Sequence, residues 1–181
     1  MSAAVVERDS LETEATHVSR AATVTWAFIA LFGLALVGLI ATAPFAQFHG
    51  HPQFAAAIYK AFSFVCHQIP DRSFHLAGHQ FAVCSRCTGL YAGFAVAALA
   101  YPLVRSLKTT DTPPRLWLIL SAVPLAVDFA LGYFSIWQNN HLSRFTTGAL
   151  LGAVAVFYIV PGLMELSSGI GRRLAGKKSE A

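Results

Sequence analysis

The sequence predicts an all-α integral membrane protein, a bundle of four transmembrane helices with a Cys/His-rich extracytoplasmic loop between spans one and two. Three observations favour this fold class. Hydrophobic residues make up 55% of the chain and charged residues only 12%, about half the charged share of a typical soluble domain. The mean hydropathy is +0.55. Four apolar runs each approach the ~20 residues that a helix needs to cross ~30 Å of hydrocarbon.

The predicted spans are residues 22–43, 81–104, 116–137 and 145–164. The first run contains no charged residue, but it ends at Ala41-Thr42-Ala43, which resembles a signal-peptide cleavage site. The segment before it is acidic rather than basic, and Pro44 would follow the cut directly. We therefore predict that the first run is an uncleaved membrane span.

The lysines and arginines predict the orientation of the spans, because loops that stay in the cytoplasm carry an excess of them. Four crossings put both termini and the loop between spans two and three on one side. That side carries nine basic residues, Arg8, Arg20, Arg105, Lys108, Arg115, Arg172, Arg173, Lys177 and Lys178. The other side receives four, Lys60, Arg72, Arg86 and Arg144. The sequence therefore predicts a multi-pass protein of the cell membrane with both termini cytoplasmic.

Charge and hydropathy divide the chain into three parts. We predict a disordered cytoplasmic N-terminus at residues 1–20, a four-span membrane domain at residues 21–165, and a basic cytoplasmic tail at residues 166–181. Residues 54–66 are apolar but too short to cross, so we expect a helix in the membrane interface or against the bundle. Residues 73–83 alternate around Ala77-Gly78, which predicts a short hairpin.

Spans two and four begin with similar strings, "SRCTGLYAGFAVAA" at residues 85–98 and "SRFTTGALLGAVAV" at residues 143–156. Both contain Ser-Arg, then Thr-Gly, then a second glycine four residues later. Because the two spans run in the same direction, their GxxxG faces would allow the two backbones to approach closely. The pattern favours an ancient duplication, and chance similarity between small-residue helix starts is the alternative.

All three cysteines and three of the seven histidines lie within residues 64–93. Cys84 and Cys87 form a C-x-x-C followed by Thr-Gly, an arrangement that is a common half of a zinc site. Cys66 is the predicted third ligand, and a histidine is the fourth, with His67 preferred over His79 or His75. Thiolates favour zinc or iron over hard cations. The sequence therefore predicts a metal site of Cys66, His67, Cys84 and Cys87, with zinc as the metal and iron as the alternative.

Two other uses of the cysteines stay open. Cys84 and Cys87 could serve a membrane thiol-disulfide oxidoreductase, because a helix N-terminus and the neighbouring Arg86 both stabilise a thiolate. Such enzymes usually need a second pair of cysteines, and only Cys66 is left. A purely structural disulfide would suit an extracytoplasmic setting but leaves one thiol and the histidines without a role.

Asp128 lies inside the third run. An ionised carboxylate there costs roughly 2.5–3.5 kcal/mol on insertion scales, so we expect it to pair with Arg86 or Arg144. The pair would either fix the register of the helices or serve the metal site. Whether the protein is an enzyme stays open, and the candidate catalytic residues are Asp128, His79 and His141.

Several polar residues are expected on the same face as the cysteines. The predicted ligand-binding residues are Arg72, Arg86, Asn140 and Arg144, with Asn139 and His141 beside them. A cationic rim of this kind suits an anionic group, and a lipid headgroup or another amphiphile reaching in sideways is the natural ligand class. The basic residues show no aromatic interleaving, so no nucleic-acid partner is expected. The sequence does not indicate an oligomeric state.

The strings "CHQIPDRSF" and "VCSRCTGLYAGF", an aspartate in the next span and "NNHLSRFTTG" resemble the uncharacterised prokaryotic membrane family called domain of unknown function 2085. The resemblance covers about residues 55–155. It implies a small multi-pass membrane protein and supports treating the two cysteine strings as one site, but it adds nothing about chemistry. Three function classes remain, a membrane metalloenzyme, a thiol oxidoreductase, and a metal-stabilised binding or scaffold protein.

Overall fold

The computed structural model describes residues 3–107 and 109–179. Over these residues the chain forms five α-helices, one 3₁₀ turn and one antiparallel pair of strands. In chain order they are α1 (Ala3–Phe48), α2 (Pro52–Phe62), the 3₁₀ turn (Pro70–Arg72), β1 (Ser73–Leu76), β2 (His79–Cys84), α3 (Ser85–Val104), α4 (Arg115–Tyr133) and α5 (His141–Ser179). The prediction of an all-α membrane bundle is confirmed.

Four helices of the described chain are long and apolar enough to cross a membrane. Their candidate spans are Arg20–Phe48, Ser85–Val104, Arg115–Tyr133 and His141–Ser167. The predicted second span began too early, because residues 81–84 pair in β2 instead of continuing α3. The predicted third span ended too late, because the Ile136 and Trp137 amides turn back to the Leu131 carbonyl.

The first span continues without a break through the stretch that resembles a cleavage site. Ala43 and Pro44 are buried inside α1, which ends only at Phe48. Toward the N-terminus, α1 begins at Ala3, before the span itself. Toward the C-terminus, α5 continues beyond its span to Ser179. The side chains of residues 3–19 and beyond 169 lie outside the described residues, so the predicted disordered N-terminus and basic tail stay predictions.

Helices α3 and α5 form the centre of the bundle, and their glycines face each other's backbones. A Cβ on any of four glycines would run into a carbonyl of the other helix: Gly89 into that of Phe145, Gly93 into that of Ala149, Gly148 into that of Arg86, and Gly152 into that of Leu90. The partners advance together along both helices, so the helices are parallel. In the repeat, Gly89 corresponds to Gly148 and Gly93 corresponds to Gly152. Each glycine meets the carbonyl that lies three residues before its counterpart on the other helix, so the contacts have a local two-fold symmetry. The predicted close approach is confirmed.

The outer two spans pack on this pair. Helix α1 contacts both α3 and α5, and α4 lies along α5. One hydrophobic cluster far from the cysteines includes Tyr101, Val156 and Val160, and the indole N–H of Trp26 donates to the Ala98 carbonyl at 2.7 Å. Helix α4 buries only Ser121, so nearly all of its apolar surface is left to face hydrocarbon.

A second hydrophobic cluster holds the connection between α1 and α3 against the bundle. Helix α2 buries Ala55, Ile58 and Phe62, and these side chains pack with α1 and β2. The strands are joined at Ala77 and Gly78, which have φ of +50° and +81°. Two consecutive residues with positive φ are typical of a type I′ hairpin, so the predicted hairpin is confirmed. The end of the bundle that carries this connection is termed the cysteine end below.

Candidate metal centre

The three cysteines come from three different segments and meet at one point. Cys66 follows α2, Cys84 is the last residue of β2, and Cys87 lies in the first turn of α3. Their Sγ atoms all lie within 4.8 Å of one another, and all three are free thiols. Ligands at ~2.3 Å from a tetrahedral zinc lie ~3.8 Å apart. The arrangement can therefore close around a metal with small side-chain movements.

Backbone N–H groups point at the cluster. Cys66 Sγ accepts from the Cys84 amide at 3.2 Å and from the Gln68 amide at 3.5 Å. Hydrogen bonds from the thiols of Cys66 and Cys87 hold the pKa of Cys84 far below its usual value. This lowering favours the thiolate form of Cys84, and the thiolate is the form that binds metals and attacks disulfides.

Gln68 ties the two cysteine-bearing segments together. Its backbone is left-handed, with φ of +52°, a conformation that non-glycine residues rarely adopt. Its side-chain amide donates to the Tyr59 carbonyl at 2.7 Å and to the Ala82 carbonyl at 2.8 Å. The Tyr59 hydroxyl in turn donates to the Gln80 carbonyl at 2.5 Å. Sequence reasoning missed this role, although the Cys-His-Gln string contained the residue.

The predicted histidine ligands lie apart from the sulfurs. In the part of the chain that the structure describes, no histidine nitrogen joins the three Sγ atoms within 4.8 Å. His67 and His75 are exposed, and His79 is half-buried at the start of β2, opposite Leu76. The identity of a fourth ligand therefore stays a prediction.

Asp128 pairs with Arg86, one of the two partners expected for it. The Arg86 Nη2 group donates to Asp128 Oδ2, and the guanidinium lies over the Phe129 ring at 5.6 Å from its centroid. The side-chain amide of Asn139 donates to the Asp128 backbone carbonyl. These contacts attach the end of α4 to α3 and to the turn before α5.

Two further arginines complete a cationic cluster. Arg144 lies within electrostatic reach of Arg72 and Arg86, and also of Asp128 and Cys84. Among the described residues, neither Arg72 nor Arg144 has a carboxylate partner within 4 Å. Arg86 is neutralised locally by Asp128, so the other two guanidinium groups are the ones open to a further anion.

Asn140, predicted in the rim, has a structural contact of its own. Its side-chain oxygen accepts from the Ser143 amide at 2.7 Å, which is the contact of a helix N-cap. The side chain thus supports the first turn of α5, and a role in binding stays a prediction.

His141 is anchored at the junction of three segments. Its Nδ1 lies 2.7 Å from the Ser85 hydroxyl, and that hydroxyl donates to the Arg72 carbonyl at 3.0 Å. Because a hydroxyl has one proton, Nδ1 acts as the donor to Ser85 when that proton goes to the Arg72 carbonyl. The ring also packs on Phe74, with centroids 5.5 Å apart. Sequence reasoning missed Ser85, for which the repeated Ser-Arg string was the available signal.

Comparison with known proteins matches a segment that contains all three cysteines, Asp128 and Arg144. Residues 66–158 match the family model described as Predicted membrane protein (DUF2085). An uncharacterized protein of Methanocaldococcus jannaschii is 38% identical over 109 residues, which cover 60% of this chain and 70% of that protein. One of Methanothermobacter thermautotrophicus is 36% identical over 91 residues, 50% of this chain and 80% of that protein. No solved structure matches the chain. The chain therefore belongs to the DUF2085 family of predicted membrane proteins.

Proposed function

We propose that this protein is a membrane metalloprotein that binds zinc, with iron as the alternative, through Cys66, Cys84 and Cys87 at the outer face of the cell membrane. One observation carries the proposal, the convergence of three thiol groups from three chain segments within 4.8 Å. Soft sulfur ligands select such metals. A metal would also join the loop after α2 to the start of α3, and so contribute directly to folding.

The geometry favours a metal with an exchangeable fourth ligand. Structural zinc sites are closed by four protein ligands, whereas catalytic sites have three and leave the fourth position to water or substrate. Three sulfurs meet here, and no histidine of the described residues joins them. A zinc-bound water would be acidified enough for hydrolysis near neutral pH. If His67 or His79 moves in to bind, the site becomes closed and structural, as in a metal-stabilised scaffold protein.

The arginines are the proposed binding site for an anionic group. Among the described residues Arg72 and Arg144 form no ion pair within 4 Å, whereas Arg86 is held by Asp128. Guanidinium groups suit carboxylates and phosphates because they donate two parallel hydrogen bonds. We therefore assign the contact with a lipid headgroup or similar amphiphile to Arg72 and Arg144, and a positioning role to Arg86.

A second function is supported by the low pKa of Cys84. A stabilised thiolate with two more thiols within 4.8 Å suits thiol-disulfide exchange, in which the Cys84 thiolate attacks a substrate disulfide and releases one substrate thiol. Cys87 then attacks the mixed disulfide and releases the second substrate thiol, which leaves the substrate reduced and Cys84 and Cys87 joined as a disulfide. A bound metal and a redox cycle would need the same sulfurs, so a single experiment can distinguish the metal-binding function from the redox function.

Metal analysis and thiol titration of the purified protein test the proposal. We expect one zinc or iron per chain and thiols that react only after chelation. Cys66→Ser, Cys84→Ser and Cys87→Ser should each abolish stoichiometric metal, whereas Ser63→Ala, at an exposed serine beside the site, should keep it. His67→Ala and His79→Ala should both keep the metal if the fourth position is open. A metal-free protein with a reversible Cys84–Cys87 disulfide would establish the redox function instead.

Binding of an anionic group is tested with the protein in nanodiscs of zwitterionic lipid, titrated with an anionic phospholipid or with inorganic phosphate. Arg72→Gln and Arg144→Gln should weaken binding, by about tenfold if each removes one charge-assisted contact worth ~1.5 kcal/mol. Arg115→Gln, at an exposed arginine at the start of α4 and so at the opposite end of the bundle, should bind normally. Binding of phosphate alone, without preference for the lipid, would identify a soluble anion as the ligand.

A further inference from the structure

Both connections at the cysteine end expose large apolar side chains. The first, between α1 and α3, exposes Phe54, Phe64 and Val65, and the second, between α4 and α5, exposes Phe134, Ile136 and Trp137. Phe64 is 79% exposed and Trp137 is 68% exposed. The two connections lie at the same end, because Ser85 contacts His141 across them. Such a concentration of exposed apolar surface in loop segments indicates a contact with something other than water.

Helix α2 has two different apolar faces. One face packs on the bundle through Ala55, Ile58 and Phe62. The other is exposed at Phe54 and continues along the helix at Ala57 and Ala61, at the spacing of an apolar stripe. A helix that buries one apolar face in its own protein and turns a second outward has two apolar partners.

Lys60 and Phe64 show the arrangement expected at a lipid surface. The Lys60 ammonium lies 5.5 Å from the centroid of the Phe64 ring, and both side chains are exposed. Lysines near a membrane interface extend an apolar stem beside apolar groups while the charge stays at the headgroups. An exposed aromatic ring beside an ammonium group therefore fits the boundary between hydrocarbon and headgroups better than it fits bulk water.

The first span also exposes apolar side chains, up to the start of the first connection. Phe28 and Phe32 are exposed on α1, and Phe45 and Phe48 are exposed at its end, immediately before α2. Exposed apolar residues within a span face hydrocarbon. The first connection thus begins directly after exposed aromatic residues at the end of the span.

We propose that the outward face of α2, together with Phe64 and the turn of Phe134, Ile136 and Trp137, lies in the membrane interface at the boundary of headgroups and acyl chains. Amphipathic helices and aromatic side chains prefer this layer. The inference goes beyond the proposed function and does not depend on a bound metal. It sets the three thiols and Arg144 at headgroup depth, within reach of ligands that arrive from the lipid side.

Depth-dependent fluorescence quenching tests the proposal. The chain has three tryptophans, so W26F/W117F leaves Trp137 alone, and W26F/W117F/W137F/F64W places a single tryptophan at position 64. Each variant is reconstituted in phosphatidylcholine vesicles with bromines near the headgroup end or near the middle of the acyl chains. A matched control carries T110W in the tryptophan-free background, because Thr110 is exposed in a polar loop at the opposite end.

We expect quenching at positions 137 and 64 to be stronger for shallow bromines than for deep ones, and weak for aqueous iodide. The T110W control should respond to iodide alone. If W26F/W117F does not fold, the difference between the wild-type protein and W137F gives the quenching of Trp137. Strong iodide quenching without a bromine effect would show that the surface faces water. Protection from both quenchers would show that protein, such as a second copy of the chain, covers it. Either result overturns the proposal.

Discussion

Single side chains with no predicted chemistry hold the thiol cluster in place. Gln68 is the clearest example, because its amide bonds two carbonyls from different segments while its backbone adopts a left-handed conformation. Ser85 has a comparable position, fully buried between Arg72 and His141. Substitution of a residue that supports a site in this way is expected to change the metal affinity, although its side chain does not touch the metal.

Gln68→Ala should therefore loosen the cluster. Losing two part-buried hydrogen bonds is expected to cost ~1–3 kcal/mol of folding free energy. Metal affinity should fall about 10–100-fold, measured by competition with a chelator. Gln53→Ala, at an exposed glutamine on α2, is the matched control. Unchanged affinity in Gln68→Ala would remove Gln68 from the support of the site.

The Arg86–Asp128 pair makes a second prediction at this scale. Asp128→Asn should destabilise the protein by ~3–5 kcal/mol, because a largely buried guanidinium loses its countercharge. Adding Arg86→Gln should recover much of that loss, and adding Arg144→Gln should not, because Arg86 forms the ion pair. Thermal unfolding in detergent measures each step. Rescue by Arg144→Gln instead would mean that Asp128 pairs with the other arginine.

At the scale of the elements, the parallel pair of α3 and α5 determines where the site lies. Reciprocal glycine–carbonyl contacts fix the register of the two helices, and this register places Ser85 beside His141. Because α4 also packs on α5, Arg86 of α3 reaches Asp128 of α4. A GxxxG face acts through close backbone packing, which tolerates no side chain. The position of the cationic cluster thus depends on glycines far down the helices.

Gly152→Ala should disrupt this packing. A Cβ there would overlap the Leu90 carbonyl, and overpacking of this kind typically costs 1–3 kcal/mol, here ~3 or more because backbone has to move. Gly162→Ala is a control in the same helix, because a Cβ at Gly162 meets nothing within 4 Å. It should be neutral or stabilise by up to ~1 kcal/mol. Equal stability of the two variants by thermal unfolding would contradict the packing described here.

At the scale of the whole molecule, the bundle resembles two copies of a helical hairpin. Helix α1 packs on α3 and α4 packs on α5, and the two hairpins meet along the symmetric α3–α5 contact. The first copy carries the thiols, whereas the second contributes Asp128, His141 and Arg144. The site therefore forms between the halves, at the end where both hairpins have their connections.

The orientation of this end is the prediction for the whole molecule. Nine basic residues against four should keep both termini in the cytoplasm. Reporter fusions at Thr110 and after Ala181 are expected to be cytoplasmic, and a fusion at Gly50 should be outside. A cytoplasmic reporter at Gly50 would place the thiols in a reducing compartment and contradict the proposed location of the site.

The sequence by itself determined the four spans, the parallel contact of spans two and four, the hairpin and the family, because hydrophobic run length, glycine spacing and turn residues act locally. Cys84 and Cys87 could be grouped from their spacing for the same reason. The sequence also predicted Cys66 as their third partner. Only the tertiary structure showed the three Sγ atoms within 4.8 Å of one another, chose Arg86 over Arg144 as the partner of Asp128, and set His67 apart from the sulfurs. Those outcomes depend on a left-handed residue at Gln68 and on the register of α3 against α5, and both arise from contacts between segments that are distant in the chain.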